Sequence, residues 1–224
     1  MMNEKQLAAE KSTEFIESGM ILGLGTGSTV LFMLNKLGEM VKGGLEVKCV
    51  SSSVQTTKIA KNLNIPLVSL NDIDHIDLTI DGADEVDLNL NGIKGGGGAL
   101  LFEKIIASLS NKVIWIVDSK KLVKKLGHFP LPIEVIPFCA NHIFKKFDDL
   151  GYKPVKRLLN NKSFLTDSGN EIIDLHTGEI KNPLNLEKEI KLLTGVVEVG
   201  LFINIADFVI VGRENSTEIL SRNK

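Results

Sequence analysis

The chain is poor in cysteine: only Cys49 and Cys139 occur, far apart and in no metal-like spacing. That argues against a disulfide framework or a zinc site and for two buried thiols in a reducing compartment. Long apolar runs are missing too. The longest wholly apolar stretches, such as Val113-Ile114-Trp115-Ile116-Val117, have strand length, far short of the roughly 18 residues of a membrane span. The stretch from Met1 to Ser18 mixes polar and charged side chains, with no apolar signal core. Neither sign of charge is in excess: 26 Lys and Arg stand against 28 Asp and Glu, a net charge of −2, which argues against a polyanionic partner. The four histidines, His75, His128, His142 and His176, share no short ligand spacing. No repeat, low-complexity tract or basic helix-turn-helix segment stands out. A cytoplasmic globular protein is expected, with no nucleic-acid or membrane partner. At 224 residues and 43% apolar composition it can bury a substantial core.

The patterning alternates. An amphipathic helix is expected over 3–18, ended by Gly19. Strands are expected at 20–24, 47–50, 65–70, 77–80 and 112–117, with helices at 30–40, 54–63 and 99–109 between them. Strands alternating with helices imply a parallel sheet covered on both faces. After Phe129-Pro130-Leu131-Pro132 the pattern changes. Strand 132–136, helix 141–149, strand 154–159, a short strand 163–166, strand 171–175, helix 185–193 and strand 196–203 follow. Without the short strand this is the β-α-β-β-α-β order of a ferredoxin-like module. A last apolar strand at 207–211 returns to the first sheet. The expected fold is α/β: a Rossmann-like parallel-sheet domain (1–129 plus 204–224) with an inserted ferredoxin-like α+β domain (130–203).

Four expected strands run into chemically rich loops: Gly25-Thr26-Gly27-Ser28-Thr29, Ser51-Ser52-Ser53, Asp81-Gly82-Ala83-Asp84-Glu85 and Asp118-Ser119-Lys120-Lys121. In a parallel sheet all four leave from the carboxyl edge, where open α/β folds bind ligands. The first loop opens a helix. Its glycines admit an anion to backbone N–H groups at a positive helix end, and Ser28 and Thr29 add hydroxyls. It is not the dinucleotide fingerprint: Ser28 occupies the third glycine position, and three serines end the strand where a ribose-binding acid belongs. It also lacks the Gly-Lys-Ser/Thr ending of a P-loop. A single phosphate on a small molecule fits better.

Lys94-Gly95-Gly96-Gly97-Gly98 joins an acidic loop to an apolar helix. Four glycines are costly to order, so a backbone passing close to a ligand and offering N–H groups to an oxyanion is expected there. The preceding Asp87-Leu88-Asn89-Leu90-Asn91-Gly92 imitates half of a calcium loop, but Gly98 stands where the bidentate Glu belongs. Glu103 is the most informative residue. Its helical neighbours are Ala99, Leu100, Ile106 and Ala107, an apolar setting that favours a carboxylate with a raised pKa, suited to a general base. Nine of the 20 glycines lie within 23–27 and 82–98, which points to a backbone-built anion site.

These segments, together with Glu103-Lys104-Ile105-Ile106-Ala107, Phe129 to Pro137 and Gly195 to Phe202, resemble type A ribose-5-phosphate isomerase along essentially the whole chain. The resemblance implies an aldose–ketose isomerase of D-ribose 5-phosphate and D-ribulose 5-phosphate in the non-oxidative pentose phosphate pathway. It implies no metal or organic cofactor and a homodimer or homotetramer. It implies Glu103 as general base and Thr26, Gly27, Ser28, Thr29, Asp81, Gly82, Ala83, Asp84, Lys94, Gly95, Gly96, Gly97 and Lys121 as substrate-binding positions. Asp81, Asp84 and Lys94 would also take part in catalysis, and Lys5 falls near a family lysine that approaches the phosphate. A non-catalytic sugar-phosphate sensor is the competing class. It would need neither Glu103 nor Lys94.

Overall fold

The computed structural model describes residues 3–222. Its main elements in chain order are α1 (Glu4–Thr13), β1 (Ile21–Leu24), α2 (Ser28–Lys42), β2 (Lys48–Ser51), α3 (Val54–Asn62), β3 (Leu78–Asp81), β4 (Glu85–Val86), β5 (Gly92–Ile93), α4 (Leu100–Ser108), β6 (Val113–Asp118), β7 (Leu131–Val135), α5 (Ala140–Asp149), β8 (Pro154–Lys156), β9 (Leu158–Leu159), β10 (Lys162–Ser163), β11 (Glu171–Leu175), α6 (Pro183–Lys191), β12 (Val196–Val199), β13 (Leu201–Phe202), β14 (Phe208–Gly212) and β15 (Thr217–Ser221). They form two compact units. One comprises Met1–Ala83, Phe102–Leu122 and Ile205–Lys224, and the other Asp84–Leu101 and Val123–Asn204. No helix among the described residues is long and apolar enough to cross a membrane.

The first unit is the α/β half. Its sheet runs β15-β14-β6-β3-β1-β2, parallel throughout except for β15, an antiparallel edge strand that the sequence pattern does not reveal. The central strands are buried on both faces and accordingly read as continuous apolar runs. Leu22, Leu24, Leu78, Ile80, Ile114, Ile116 and Ile210 pack with Ala8, Ala9, Met33, Leu34 and Leu37 from the helices. Each such fully buried aliphatic side chain contributes about 1.5–3 kcal/mol. Cys49 lies in this core, and burial pushes its thiol up to about 12.

Two expectations change here. Helix α1 stops at Thr13 rather than at Gly19. The hydroxyls of Ser12 and Thr13 donate back to the carbonyls of Ala9 and Glu10, a local competition that favours ending a helix. The expected strand 65–70 reduces to a single bridge between Leu67 and Cys49, and Ser69 then caps a short 3₁₀ turn, Leu70–Asp72. Pro66 has no N–H to extend the ladder.

The second unit holds an antiparallel sheet in the order β12-β7-β11-β8. With α5 and α6 this is the ferredoxin-like βαββαβ arrangement. Leu131, Ile133, Val135, Ile173, Leu175 and Val199 face Ile143, Phe147 and Ile190 of the two helices in one core. The expected strand 154–159 breaks at Arg157, where β9 leaves to pair with β10 through Asn160 and Asn161, both at positive φ. The expected strand 196–203 breaks at Gly200, where a Cβ would lie 2.5 Å from the Lys94 carbonyl oxygen. Beyond it, β13 pairs with β5 in a separate three-stranded sheet with β4.

The domain boundary at 129/130 also needs correcting. Residues 84–101 and 123–129 belong with the second unit. The β4–β5 hairpin is paired to β13, Val123 donates to the Val86 carbonyl, and the buried Glu85 carboxylate accepts the N–H groups of Gly127 and Phe129. None of these long-range bonds has a local signature. The calcium-like stretch is the tip of that hairpin. Asp87 Oδ1 accepts the backbone N–H groups of Asn89 and Asn91, each at 2.9 Å.

Candidate active site

In the first unit β1, β2, β3 and β6 are parallel neighbours or next neighbours, so the loops after them emerge at one sheet edge. The loop after β1 is packed against Asp81. Gly25 is there by necessity, since a Cβ would stand 2.0 Å from Asp81 Oδ1. That oxygen accepts the N–H of Thr26 at 3.1 Å and of Gly82 at 2.7 Å. Asp81 itself is 3% exposed.

Two of the three serines at the end of β2, Ser52 and Ser53, serve the same loop, while the Ser51 hydroxyl pairs with that of Thr57. Thr26 Oγ1 lies 2.9 Å from Ser52 Oγ, 2.8 Å from Ser53 Oγ and 3.2 Å from Thr56 Oγ1, and the Thr56 hydroxyl donates to the Gly25 carbonyl. Thr26 is thus an anchor: its hydroxyl and its N–H are both engaged within the loop floor. Gly27, at φ 123, is the N-cap of α2 and offers no capping side chain. Gly27 and Ser28 are exposed, with Thr29 half-buried beside them. The first N–H groups of α2 and two hydroxyls gather at this end, a combination whose chemistry suits an anion.

A cation approaches this end. Lys5 Nζ stands 2.9 Å from Ser28 Oγ and 4.0 Å from Asp118 Oδ2. Its position is set by the preceding residue, because the Glu4 carboxylate accepts both the N–H and the hydroxyl of Ser119. Those donors hold the Glu4 pKa below its ordinary value, the hydroxyl first and the backbone N–H second. Gly212 lets the helix start come this close: a Cβ there would be 1.8 Å from the Glu4 carbonyl oxygen. A cavity of about 480 Å³ opens beside these groups, lined by Asn3, Glu4, Lys5, Asp118 and Lys120. Lys121 follows in the short turn Ser119–Lys121 and is half-buried.

Glu103 sits in the first turn of α4 and is 5% exposed. Leu100, Ile106 and Ala107 of the same helix, and Ala99 just before it, are all buried, as the apolar spacing predicts. A carboxylate placed there is stripped of most of its water.

The second unit carries Asp84 and the glycine run. Asp84 Oδ2 accepts the Gly96 N–H at 2.8 Å. Gly96 cannot be larger, because a Cβ would meet Asp84 Oδ1 at 2.7 Å and the Phe129 ring at 3.0 Å. Gly95 and Gly98 have φ of 111° and 79°, and Gly98 donates to the Gly95 carbonyl at 3.0 Å, closing a tight turn. Gly96 and Gly97 are exposed at its crest. Lys94, 3% exposed, holds its ammonium 5.2 Å from the centre of the Phe202 ring.

Two contributors were not foreseen as parts of this machinery. Glu85 fixes the 127–129 turn, as above. Arg157 reaches the carbonyls of Gly95 and Gly96 at 2.7 and 3.2 Å. Its partners are some sixty residues away in sequence, so no spacing rule marks it. Ala83 and Gly82 lie half-buried between the two aspartates. Three peptide links separate Asp81 from Asp84, so their Cα atoms are no more than about 11 Å apart. Among the described residues no group of three or more His, Cys, Asp or Glu side chains is placed to hold a metal ion.

Comparison with known proteins gives a consistent result. Residues 48–216 match the family model of ribose 5-phosphate isomerase A (phosphoriboisomerase A). The ribose-5-phosphate isomerase A of Limosilactobacillus reuteri is 51% identical over 218 residues, 96% of either chain. A solved D-ribose-5-phosphate isomerase in complex with phospho-erythronic acid is 42% identical with a TM-score of 0.95, covering 99% of this chain and 100% of that one. The ribose 5-phosphate isomerase A of Methanocaldococcus jannaschii is 38% identical with a TM-score of 0.92, covering 97% and 98%.

Proposed function

The chain belongs to the ribose 5-phosphate isomerase A family and is an aldose–ketose isomerase of ribose 5-phosphate; from that premise we propose how its residues divide the work. The observation that carries the assignment of the base is the burial of Glu103 within an apolar helix turn that follows a glycine run.

Isomerisation moves a proton between adjacent carbons. In the open-chain aldose the Glu103 carboxylate takes the proton from C2, and the electron pair moves into a C1–C2 double bond while charge develops on O1. The protonated Glu103 returns the proton to C1, and the hydroxyl proton on O2 is transferred towards O1, leaving a ketone at C2. The enediolate between the two steps needs positive potential aimed at its oxygens. Lys94 and the N–H groups of Gly95 and Gly97 supply it, while the Gly96 N–H is taken by Asp84. Asp81 and Asp84 bind sugar hydroxyls and assist ring opening. They hold the loops that carry those donors, Asp81 through Thr26 and Gly82 and Asp84 through Gly96. Gly27, Ser28, Thr29 and the start of α2 take the phosphate, with Lys5 and Lys121 as counter-charges. Thr26 and Ala83 shape the floor.

Because a lysine and oriented backbone donors supply the electrophile, this chemistry needs no metal. The same family reading carries a cytoplasmic homodimer or homotetramer acting on a free sugar phosphate. The test is direct. The purified protein, exhaustively treated with EDTA, converts ribose 5-phosphate to the ketose at its untreated rate. Loss of turnover that a divalent ion restores would overturn the metal-free scheme. The phospho-erythronic acid bound by the relative of known structure has four carbons, so aligned on a terminal phosphate its carboxylate falls at the sugar's C2, where the enediolate oxygens develop, and it should compete with substrate here.

A further inference from the structure

The glycine run is held from its carbonyl side by a single guanidinium. Arg157 Nη1 donates to the Gly95 carbonyl at 2.7 Å and to the Gly96 carbonyl at 3.2 Å. The guanidinium is itself locked. It forms a two-pronged pair with Asp174, Nε to Oδ2 at 2.9 Å and Nη2 to Oδ1 at 2.5 Å, and lies 5.8 Å from the centre of the Phe164 ring. Phe164 in turn packs against Gly98, where a Cβ would come within 2.5 Å of the ring. Both charged side chains are largely covered, with 15% and 17% exposure, so the pair keeps one geometry.

In a trans peptide the C=O of one residue and the N–H of the next point in opposite directions. With the Gly95 carbonyl turned to Arg157, the Gly96 N–H points away from it, and that N–H ends on Asp84. With the Gly96 carbonyl turned to Arg157, the Gly97 N–H points away from it as well. Glycines have the widest choice of backbone conformation, and four in succession need an external hold. The guanidinium also withdraws electron density through both carbonyls, which makes the outward N–H groups stronger donors.

We propose that Arg157, held by Asp174, is a positioning residue for the isomerisation: it fixes the 95–96 and 96–97 peptide planes so that the Gly96 N–H holds Asp84 and the Gly97 N–H is aimed at the enediolate oxygens. This rests on the proposed reading, in which Glu103 moves the proton and the glycine run beside it in sequence holds the oxyanion. The residue touches no reacting atom, so its removal should act on the transition state more than on substrate binding.

The experiment compares Arg157→Ala, Arg157→Lys and Asp174→Asn in the intact chain. It reads kcat and KM for ribose 5-phosphate, affinity for phospho-erythronic acid, and the thermal midpoint. Arg157→Ala should lower kcat by about 10- to 100-fold, the scale of a small misplacement of catalytic groups. KM should stay within about three-fold, the pattern of an interaction made in the transition state. Affinity for phospho-erythronic acid should fall in step with kcat, and Arg157→Lys should recover part of both. Unchanged kcat and unchanged analogue affinity per folded molecule would overturn the proposal, even with a lowered thermal midpoint. If Arg157→Ala does not fold, Asp174→Asn is judged by the same two readouts. Failure of the underlying assignment looks different: Glu103→Gln then keeps the wild-type rate. Failure of the clamp alone leaves Glu103→Gln inactive and Arg157→Ala fully active.

Discussion

Replacing Gly25 by alanine adds one methyl group at a crowded point beneath the loop that joins β1 to α2. The new Cβ would lie 2.0 Å from Asp81 Oδ1, 2.3 Å from its Cγ and 2.6 Å from its Cα. Carbon atoms repel steeply inside about 3.5 Å. A rotamer change can move the carboxylate but not the Cα, so β3 and the β1 loop must separate by about 1 Å. Overpacking of this kind costs about 1–3 kcal/mol in stability. The larger effect is on activity. Asp81 Oδ1 loses its register with the N–H groups of Thr26 and Gly82, and a 1 Å displacement of a catalytic group is worth about 100-fold in rate. The assay is kcat for ketose formation, with a thermal melt to count folded molecules. In an Asp81→Asn background the Gly25→Ala change should cost much less than it does alone, because both act on one group. A folded Gly25→Ala variant within about two-fold of the wild-type kcat would refute the reasoning.

Other outcomes follow from the same geometry. Lys5→Met removes the ammonium that stands 2.9 Å from Ser28 Oγ. At one-third side-chain exposure its charged contact with a phosphate falls at the lower end of the range for such bonds, so KM should rise about 10-fold with kcat little changed. Equal loss in kcat would place Lys5 at the reacting end of the sugar instead. Thiol labelling of the native protein near pH 8 should modify Cys139 and spare Cys49, whose thiol is buried in the core and pushed up to about 12 by that burial. Both should react once the chain is unfolded. Rapid labelling of Cys49 in the native state would contradict the core packing.

The parts of the protein that are local in origin were legible in the sequence. The apolar strands and the glycines that end β1 are set by neighbours a few residues away. Glu103 among apolar helix positions is equally local, and the structure buries it with those same neighbours. What escaped depends on distant partners. The β4–β5 hairpin is too short to carry an alternating pattern, and its third strand, β13, lies more than a hundred residues on. The break at Gly200 is forced by the approach of the Lys94 carbonyl, and Pro66 stops a strand that its apolar neighbours suggest. Arg157 reads as an ordinary strand-end charge until Gly95, Gly96 and Asp174 are brought around it.

The most direct test of the account is the turnover of Glu103→Gln in D2O. Gln matches Glu in size but cannot carry a proton between C2 and C1. General acid–base groups supply about 10²- to 10⁴-fold, so ketose formation should fall by at least about 100-fold, with deuterium entry into the sugar falling equally. Affinity for phospho-erythronic acid should remain within a few-fold of wild type. A Glu103→Gln protein that isomerises ribose 5-phosphate and exchanges deuterium at the wild-type rate would contradict the account.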